Sequence, residues 1–547
     1  MFARVKKSGR YQYLQLVENS KVSGKVRQRV IATVGRLDQL QAKGSVETLI
    51  RSLARFSEKT LLVLSGKIDV TAHAVKIGPA LIFERLWKEL GLPTIIHGLL
   101  ADRKFEFDVE RALFLTVLHR LFASGSDRSC DHQWRRDHAI AGVDGTALHH
   151  AYRAMAFLGE VLSDQTGATP FTPRCTKDLI EEGLFGRHRN LFTGLELVFF
   201  DTTSIYFEGE GGETLGQFGH SKDHRSDRKQ MVVGAILDDT GRPICCEMWP
   251  GNTADVKSLL PVVARLRSRF GIERFCIVAD RGMISADTIA ALESPDCNIP
   301  YILGARMRRV KEVSEEVLSR AGRYHDVHPE ETNSKSPAPL AVKEVLVEGR
   351  RYIVCRNSRQ ERKDAAARQA MILALEERIK TNPKGLVGNR GYARYIKVSK
   401  GGMVIDRDKI DQEARFDGKW VLRTNMDLPA ERVALKYKEL WQVEQVFRDV
   451  KSVLDTRPVF HKRDETIRGH VFCSFLALVL RKELDRRLDS AGHQFEWADI
   501  KRDLSALQEV IIEENGKSLA VRTACTGSCG KVFQAVGVAL PLTIREI

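Results

Sequence analysis

The chain lacks the features that would place it in a membrane, in an oxidising compartment or around a structural zinc. Its longest apolar run, Val471–Leu480, is ten residues interrupted by Ser474 and flanked by Arg468 and Arg481. A bilayer span needs about twenty, so no membrane role is expected and the run reads as a buried helix. Met1–Val5 carries charge but no apolar stretch follows it, so no secretory signal is read. The ten cysteines are scattered: Cys245 and Cys246 are adjacent, Cys525 and Cys529 are four apart, and neither pair has a second Cys or His pair at ligand spacing. Free thiols in a reducing cytosol are expected. No glycine-rich phosphate loop is present, which argues against a phosphohydrolase of small molecules. Acids are the minority charge, 71 Asp plus Glu against 86 Lys plus Arg, a net +15. Such a surplus favours an anionic partner, nucleic acid first among them.

What is present begins with an uneven distribution of that charge. Residues 1–36 hold nine Lys or Arg and a single acid, Glu18. This arm suits a phosphate backbone; the plain alternative is a solvated hairpin. Alternation of Tyr11, Tyr13 and Leu16 and then Val26, Val30 and Ala32 predicts β-structure turning at Asn19-Ser20. Residues 1–70 are therefore taken as a basic β-hairpin arm and linker, and 71–190 as a helical DNA-binding domain. Within the latter, Gly78-Pro79 opens a helix, Gly91-Leu92-Pro93 closes it, and Asp108 caps another. From 191 to 304 apolar runs and amphipathic stretches predict the order β-β-β-α-β-α-β, an α/β RNase H-like core with a mixed sheet. Residues 305–425 read as a β-rich insertion, with a polar loop at 330–339. Residues 426–485 resume the core with a long helix, Pro429–Leu454, that has no internal Gly or Pro. Residues 486–547 form a C-terminal helical region suited to oligomer contacts.

Two acids follow strand candidates, in Phe199-Phe200-Asp201 and Val278-Ala279-Asp280. The first and fourth strands of such a core are neighbours, which would set Asp201 beside Asp280. Paired carboxylates repel unless a cation lies between them, and an oxygen-only set with few ligands is the Mg²⁺ style. Either Asp alone equally suits a helix cap or a turn. On the long helix, Tyr437, Glu444 and Lys451 are seven apart and share a stripe. Arg448 lies one turn beyond Glu444, and Leu440, Val443, Val446, Phe447, Val450 and Leu454 form an apolar stripe opposite. The plain alternative is a solvated face with a Glu444–Arg448 pair.

Tyr437-x2-Leu440-x3-Glu444-x6-Lys451 resembles the Y-x2-R-x3-E-x6-K signature of DDE insertion-sequence transposases of the insertion-sequence-four group. The segments Phe200-Asp201-Thr202-Thr203-Ser204, Gly219 through Asp227, Pro250-Gly251-Asn252-Thr253-Ala254-Asp255 and Ala279-Asp280-Arg281-Gly282-Met283 resemble the same group. The likeness is strong over roughly 195–480. It implies an RNase H-like fold with its insertion between the second Asp and the Glu, and a catalytic triad of Asp201, Asp280 and Glu444 holding two Mg²⁺ ions, with Mn²⁺ as substitute. Asp201 would bridge both ions, and Asp280 and Glu444 would hold one each. It implies cleavage at transposon ends and joining to target DNA. Tyr437, Lys451, Arg448, Lys222 and Arg225 are the expected DNA contacts. Trp441 is divided evenly between stacking on a displaced base and serving as core. Asn252, Thr253 and Asp255 shape the rim; His220 and His224 are loop residues. Leu440 departs from the signature Arg, whose phosphate contact would pass to Lys438 or Arg448. The implied partners are double-stranded DNA, as terminal inverted repeats and target, and a second copy of the chain. The expected location is the bacterial cytoplasm, on the nucleoid when DNA-bound. A nuclease of the same fold without strand transfer, and a non-catalytic DNA-binding descendant, are the competing readings.

Overall fold

The structure, a computed structural model, describes the chain except residues 1, 23–24, 55–70, 124, 170–171, 189–195, 328–339, 382–394, 400–401, 455 and 515–516. The polar loop expected at 330–339 lies outside the described residues. By compactness the chain divides into two units, 1–73 with 511–524 and 544–547, and 74–510 with 525–543. The boundaries expected near 190, 304, 425 and 485 all fall inside the second.

In the first unit, strands β1 (Phe2–Ser8), β2 (Tyr11–Val22) and β3 (Lys25–Arg36) form an antiparallel meander. The turn expected at Asn19-Ser20 is not there, since both residues are paired within β2, to Gln28 and Arg27. The reversal between β2 and β3 falls at residues 23–24, outside the described residues, and the separate reversal between β1 and β2 uses Gly9 at φ 59°, a conformation that glycine adopts at no steric cost. Two rungs of the meander are knitted by side chains. Arg4 donates to Gln15 and Gln28, and the Arg36 guanidinium lies 3.8 Å from the Tyr11 ring centre.

The second unit begins with helices α1 (Gly78–Glu89), α2 (Val109–Phe122), α3 (Leu148–Gly159) and α4 (Thr176–His188). Pro79 sits in the first turn of α1, where its missing N–H costs nothing. Asp108 caps α2 by accepting from the Arg111 N–H at 3.0 Å. Next come strands β4 (Glu196–Tyr206), β5 (Gln230–Leu237) and β6 (Pro243–Pro250), helix α5 (Leu259–Phe270), β7 (Phe275–Ala279), α6 (Ala286–Glu293) and β8 (Tyr301–Gly304). β4, β5 and β6 pair antiparallel, and β4, β7 and β8 pair parallel.

The insertion does not stand apart from this sheet. Strands β9 (His325–Val327), β10 (Leu340–Val347), β11 (Arg350–Arg356) and β12 (Lys419–Thr424) extend it, with β12 antiparallel to β8, giving nine strands in the order β9-β10-β11-β12-β8-β7-β4-β5-β6. Helix α7 (Ser358–Thr381) lies within the insertion.

The expected single helix over Pro429–Leu454 is segmented into α8 (Ala430–Lys438), α9 (Trp441–Arg448) and a wide π-turn at Asp449–Val453. Between α8 and α9 the backbone tightens to i→i−3 bonds: Leu440 donates to Tyr437, Gln442 to Glu439 and Val443 to Leu440. A 3₁₀ step advances roughly 120° per residue against about 100° in an α-helix, and a π-turn advances less. The stripe from Tyr437 through Glu444 to Lys451 is therefore rotated at both joints. Helix α10 (Asp464–Ser490) contains Val471–Leu480, all ten residues buried. It crosses α3 at backbone contact: a Cβ on Gly469 would meet the Met155 carbonyl oxygen at 1.9 Å, and one on Gly159 the Glu465 carbonyl oxygen at 2.0 Å. No helix among the described residues is long and apolar enough to cross a membrane.

A buried charge network fastens α4 to the sheet. Lys177, Arg265 and Arg269 meet Asp178, Glu181, Glu182 and Glu247, with contacts of 2.6 Å from Lys177 to Asp178, 2.7 Å from Arg269 to Glu181 and 3.0 Å from Arg265 to Glu247.

Candidate active site

Strand alternation decides where the two aspartates point. Val198 and Phe200 on β4, and Phe275, Ile277 and Ala279 on β7, join the core under α5 and α6. With side chains alternating between faces, Asp201 projects from the opposite face, and Asp280 continues that side past the end of β7. The parallel register pairs Phe200 with Ala279, so the next residues, Asp201 and Asp280, stand side by side. Burial pushes the Asp201 carboxyl up to about 6. Lys222 and the Thr202 N–H oppose that rise, while the negative charge of Asp280 and Asp255 adds to it.

Asp280 is anchored by the Tyr437 hydroxyl, which donates to its Oδ1 at 3.0 Å. Burial, and then the neighbouring Asp280 charge, raise the Tyr437 phenol well above its ordinary value, so it remains a donor. Gly304 makes this approach feasible, because a Cβ there would lie 2.5 Å from the Tyr437 oxygen. Arg306 holds the turn after Asp280 through the carbonyls of Arg281 and Gly282, at 2.9 and 2.8 Å.

Glu444 is exposed on α9 and lines a cavity of about 760 Å³ together with Asp280, Tyr437 and Trp441. The far wall comes from the insertion, with Phe416, Trp420 and Arg368. Trp441 is 51% exposed, which removes its core alternative. The apolar stripe opposite Glu444 is buried, from Leu440 through Val443, Val446 and Phe447 to Val450. Among the described residues, the groups of three ligand-type side chains whose ligand atoms lie within 4.8 Å of one another are Asp127–His461–His470 and His97–Asp108–Glu110. Asp201, Asp280 and Glu444 are not drawn that close. In the first group, Arg120 already donates to His470 Nδ1 at 2.9 Å and faces Asp127 at 3.6 Å.

The other expected contacts are engaged within the protein. Lys222 Nζ donates to Thr202 O at 2.7 Å and to its hydroxyl at 2.9 Å, and lies 3.3 Å from Asp255 and 4.0 Å from Asp201. Lys451 pairs with Asp223 at 2.7 Å. Arg225 forks onto Asp227 with two contacts of 2.9 Å. Arg448 is exposed and donates to Gln445 at 3.3 Å. His220 and His224 are exposed loop residues, and Asn252 is exposed on the turn after β6.

Two residues were not legible as members of this cluster. Asp255, read as rim, belongs with the acids: it accepts from the Thr202 hydroxyl at 2.8 Å and raises the Asp201 carboxyl. Its signal was the turn motif after the third strand. Arg457, which also pairs with Asp223, had no sequence signal.

The donor set fits a hard divalent cation. It is all oxygen, and the crowding of Asp201 by two further carboxylates is a charge imbalance that a cation relieves. Residues 193–480 match the family model described as transposase DDE domain, and residues 3–65 match that of the IS1634 family transposase, N-terminal domain. No curated protein matches the chain. A cryo-EM structure of a piggyBac transposase synaptic complex with hairpin DNA is similar at 11% identity, over 78% of this chain and 79% of that one, with a TM-score of 0.39. At that score the likeness carries no argument.

Proposed function

The chain belongs to the DDE-domain transposases, and from that premise we propose that it cleaves DNA at the ends of an insertion sequence and joins them to target DNA on an RNase H-like core. The observation that carries this reading is the parallel pairing of β4 with β7, which brings Asp201 and Asp280 together on the sheet face that α8 and α9 cover.

In this reading Asp201, Asp280 and Glu444 hold two Mg²⁺ ions, for which Mn²⁺ can substitute. When bound, the ions supply activation of a water or DNA 3′-hydroxyl and stabilisation of the leaving oxygen. The chain's own residues do the rest. Tyr437 fixes the orientation of Asp280 by donating to it. In the free protein Asp201, drawn upward by burial and by its acidic neighbours, is held as a carboxylate by Lys222 and the Thr202 N–H. Trp441, exposed at the cavity mouth, offers a stacking face for a displaced base. Tyr437, Glu444 and Lys451 retain the Y, E and K positions of the insertion-sequence-four signature, with Lys438 or Arg448 as the phosphate contact that Leu440 cannot make. Arg448, Lys451, Lys222 and Arg225 contact DNA phosphates, the last three after leaving their internal partners. The working complex holds two chains, because joining requires both transposon ends at once.

The test is a gel assay with purified protein, Mg²⁺ and DNA carrying candidate terminal inverted repeats. Strand transfer is the expected product. Cleavage without joining would reduce the activity to that of a nuclease, and binding alone to that of a DNA-binding descendant. Asp201→Asn and Glu444→Gln should each abolish cleavage while leaving DNA binding in place. Full activity in either variant would remove that residue from the mechanism.

A further inference from the structure

The segment between β4 and β5 sends two consecutive residues of opposite charge to two different places. Lys222 places its ammonium among Thr202, Asp255 and Asp201. Asp223 places its carboxylate against Lys451 at 2.7 Å and against Arg457. The residue that follows, His224, has φ 57°, a left-handed conformation uncommon outside glycine and found where the surrounding structure enforces it. Asp223 is not an optimised ion-pair partner either: its side chain is 8% exposed, it meets two cations through Oδ1, and its Oδ2 is buried with no hydrogen-bond partner. A buried carboxylate oxygen left unsatisfied is costly, so stability alone does not account for the arrangement. Arg457 also lies with its guanidinium carbon 6.0 Å from the Tyr206 ring centre, and Arg225 of the same segment lies 5.1 Å from that ring on its own account.

We propose that Lys451 and Arg457 form a seat for a DNA phosphate that Asp223 fills in the free protein, and that Lys222 likewise fills a cation seat between Asp201 and Asp255. The Lys222-Asp223 pair is thus a two-signed plug, an ammonium standing where a divalent ion goes and a carboxylate standing where a phosphate goes. DNA and metal entering together displace both charges in one movement of the segment, so neither ligand alone gains the full contact set. The inference rests on the assignment of the acids as metal ligands and of DNA as substrate, and it adds Arg457 and Asp255 to the site.

Two measurements on the full chain test it. The first is binding of a mixed-sequence DNA duplex in Ca²⁺, followed by fluorescence anisotropy over a range of salt concentrations. Asp223→Asn, which keeps shape and removes charge, should bind several-fold tighter, with a log–log salt slope steeper by about one to two, because two cations become available to phosphate. The second is titration with Mn²⁺ alone, reading the free-ion magnetic resonance signal. Lys222→Met should bind Mn²⁺ about tenfold tighter, on the order of one pK unit of relieved charge competition, and the gain should vanish in Lys222→Met with Asp201→Asn. Either arm unmoved or weakened in a folded variant overturns the plug. If Asp223→Asn fails to fold by circular dichroism, the Mn²⁺ arm decides alone. Wild-type protein that binds DNA while Asp223→Asn binds no better sinks this inference and leaves the transposase reading standing. Absence of DNA binding by both proteins sinks the two together.

Discussion

Asp201 shows how one carboxylate can serve a site at the expense of the fold. Its pKa is raised from 3.8 to about 6, chiefly by burial. Folding therefore favours the neutral form relative to the unfolded chain, and ionisation between those two values works against folding. The loss is complete above pH 6 and absent below pH 3.8. Two pK units correspond to at most about 3 kcal/mol, an upper bound because the side chain retains some exposure. Asp201→Asn should accordingly raise the melting temperature of the metal-free protein by a few degrees at pH 8, a difference that scanning calorimetry should see shrink steadily below pH 6. An unchanged melting temperature across that range would mean the carboxyl is not held up as described. The contact between Tyr437 and Asp280 gives a second residue-scale expectation. A hydrogen bond to a charged group is worth about 1.5–3 kcal/mol. Tyr437→Phe should therefore slow cleavage roughly ten- to a hundredfold with little change in DNA affinity. Gly304→Ala should do the same from a distance by displacing the tyrosine hydroxyl. A change in DNA affinity without a change in rate would make Tyr437 a DNA contact only.

At the scale of elements, the strands were the legible part. Short apolar runs ending in Asp201 and Asp280 were enough to predict which strands form and that the first and fourth adjoin, because alternation and short connections leave few arrangements. The helix bearing Glu444 was only half legible. Its buried stripe, Val443 through Val450, lies where a 3.6-residue period places it. Its joints could not be read, because no Gly or Pro marks them: the tightening at Glu439-Leu440 and the widening at 449–453 are accommodations to what the helix packs on. Lys451 therefore turns toward Asp223 instead of continuing the stripe of Glu444. The pairing of Asp255 with Thr202 was equally out of reach, since it depends on a loop path. The network joining α4 to α5 and β6 was invisible for a different reason, namely that its seven charged residues come from three distant segments. Removing one partner of such a network leaves uncompensated buried charge and costs about 3–5 kcal/mol. Arg269→Met should show that loss in chemical denaturation. A loss below about 1 kcal/mol would rank these contacts with ordinary surface pairs.

For the whole molecule, a net charge of +15 states a preference for polyanions without saying where they lie. Every Lys or Arg that meets a phosphate releases counterions, so affinity for DNA should fall steeply with salt. Residues 1–36 carry a net +8 of that charge, and Lys6, Lys7 and Arg10 are exposed on the meander. A chain lacking residues 1–70 should bind a mixed-sequence duplex more weakly and with a shallower salt slope in anisotropy titrations. An unaltered slope would exclude the meander from phosphate contact.

The insertion was read from its sequence as a piece with its own periodicity, and among the described residues it contains strands, but periodicity cannot say which sheet a strand joins. Because β12 is hydrogen-bonded to β8, the wall carrying Trp420 and the floor carrying Asp280 are parts of a single nine-stranded surface. The strand of this wall that carries Trp420 is fastened to the floor by backbone hydrogen bonds. On the proposed function, such a wall acts as a fixed gauge, favouring DNA conformations whose reactive phosphate already falls at the right distance from the acids. Distortion needed to fit the site must then come from the nucleic acid, and sequences that deform easily near the cleavage point should react fastest.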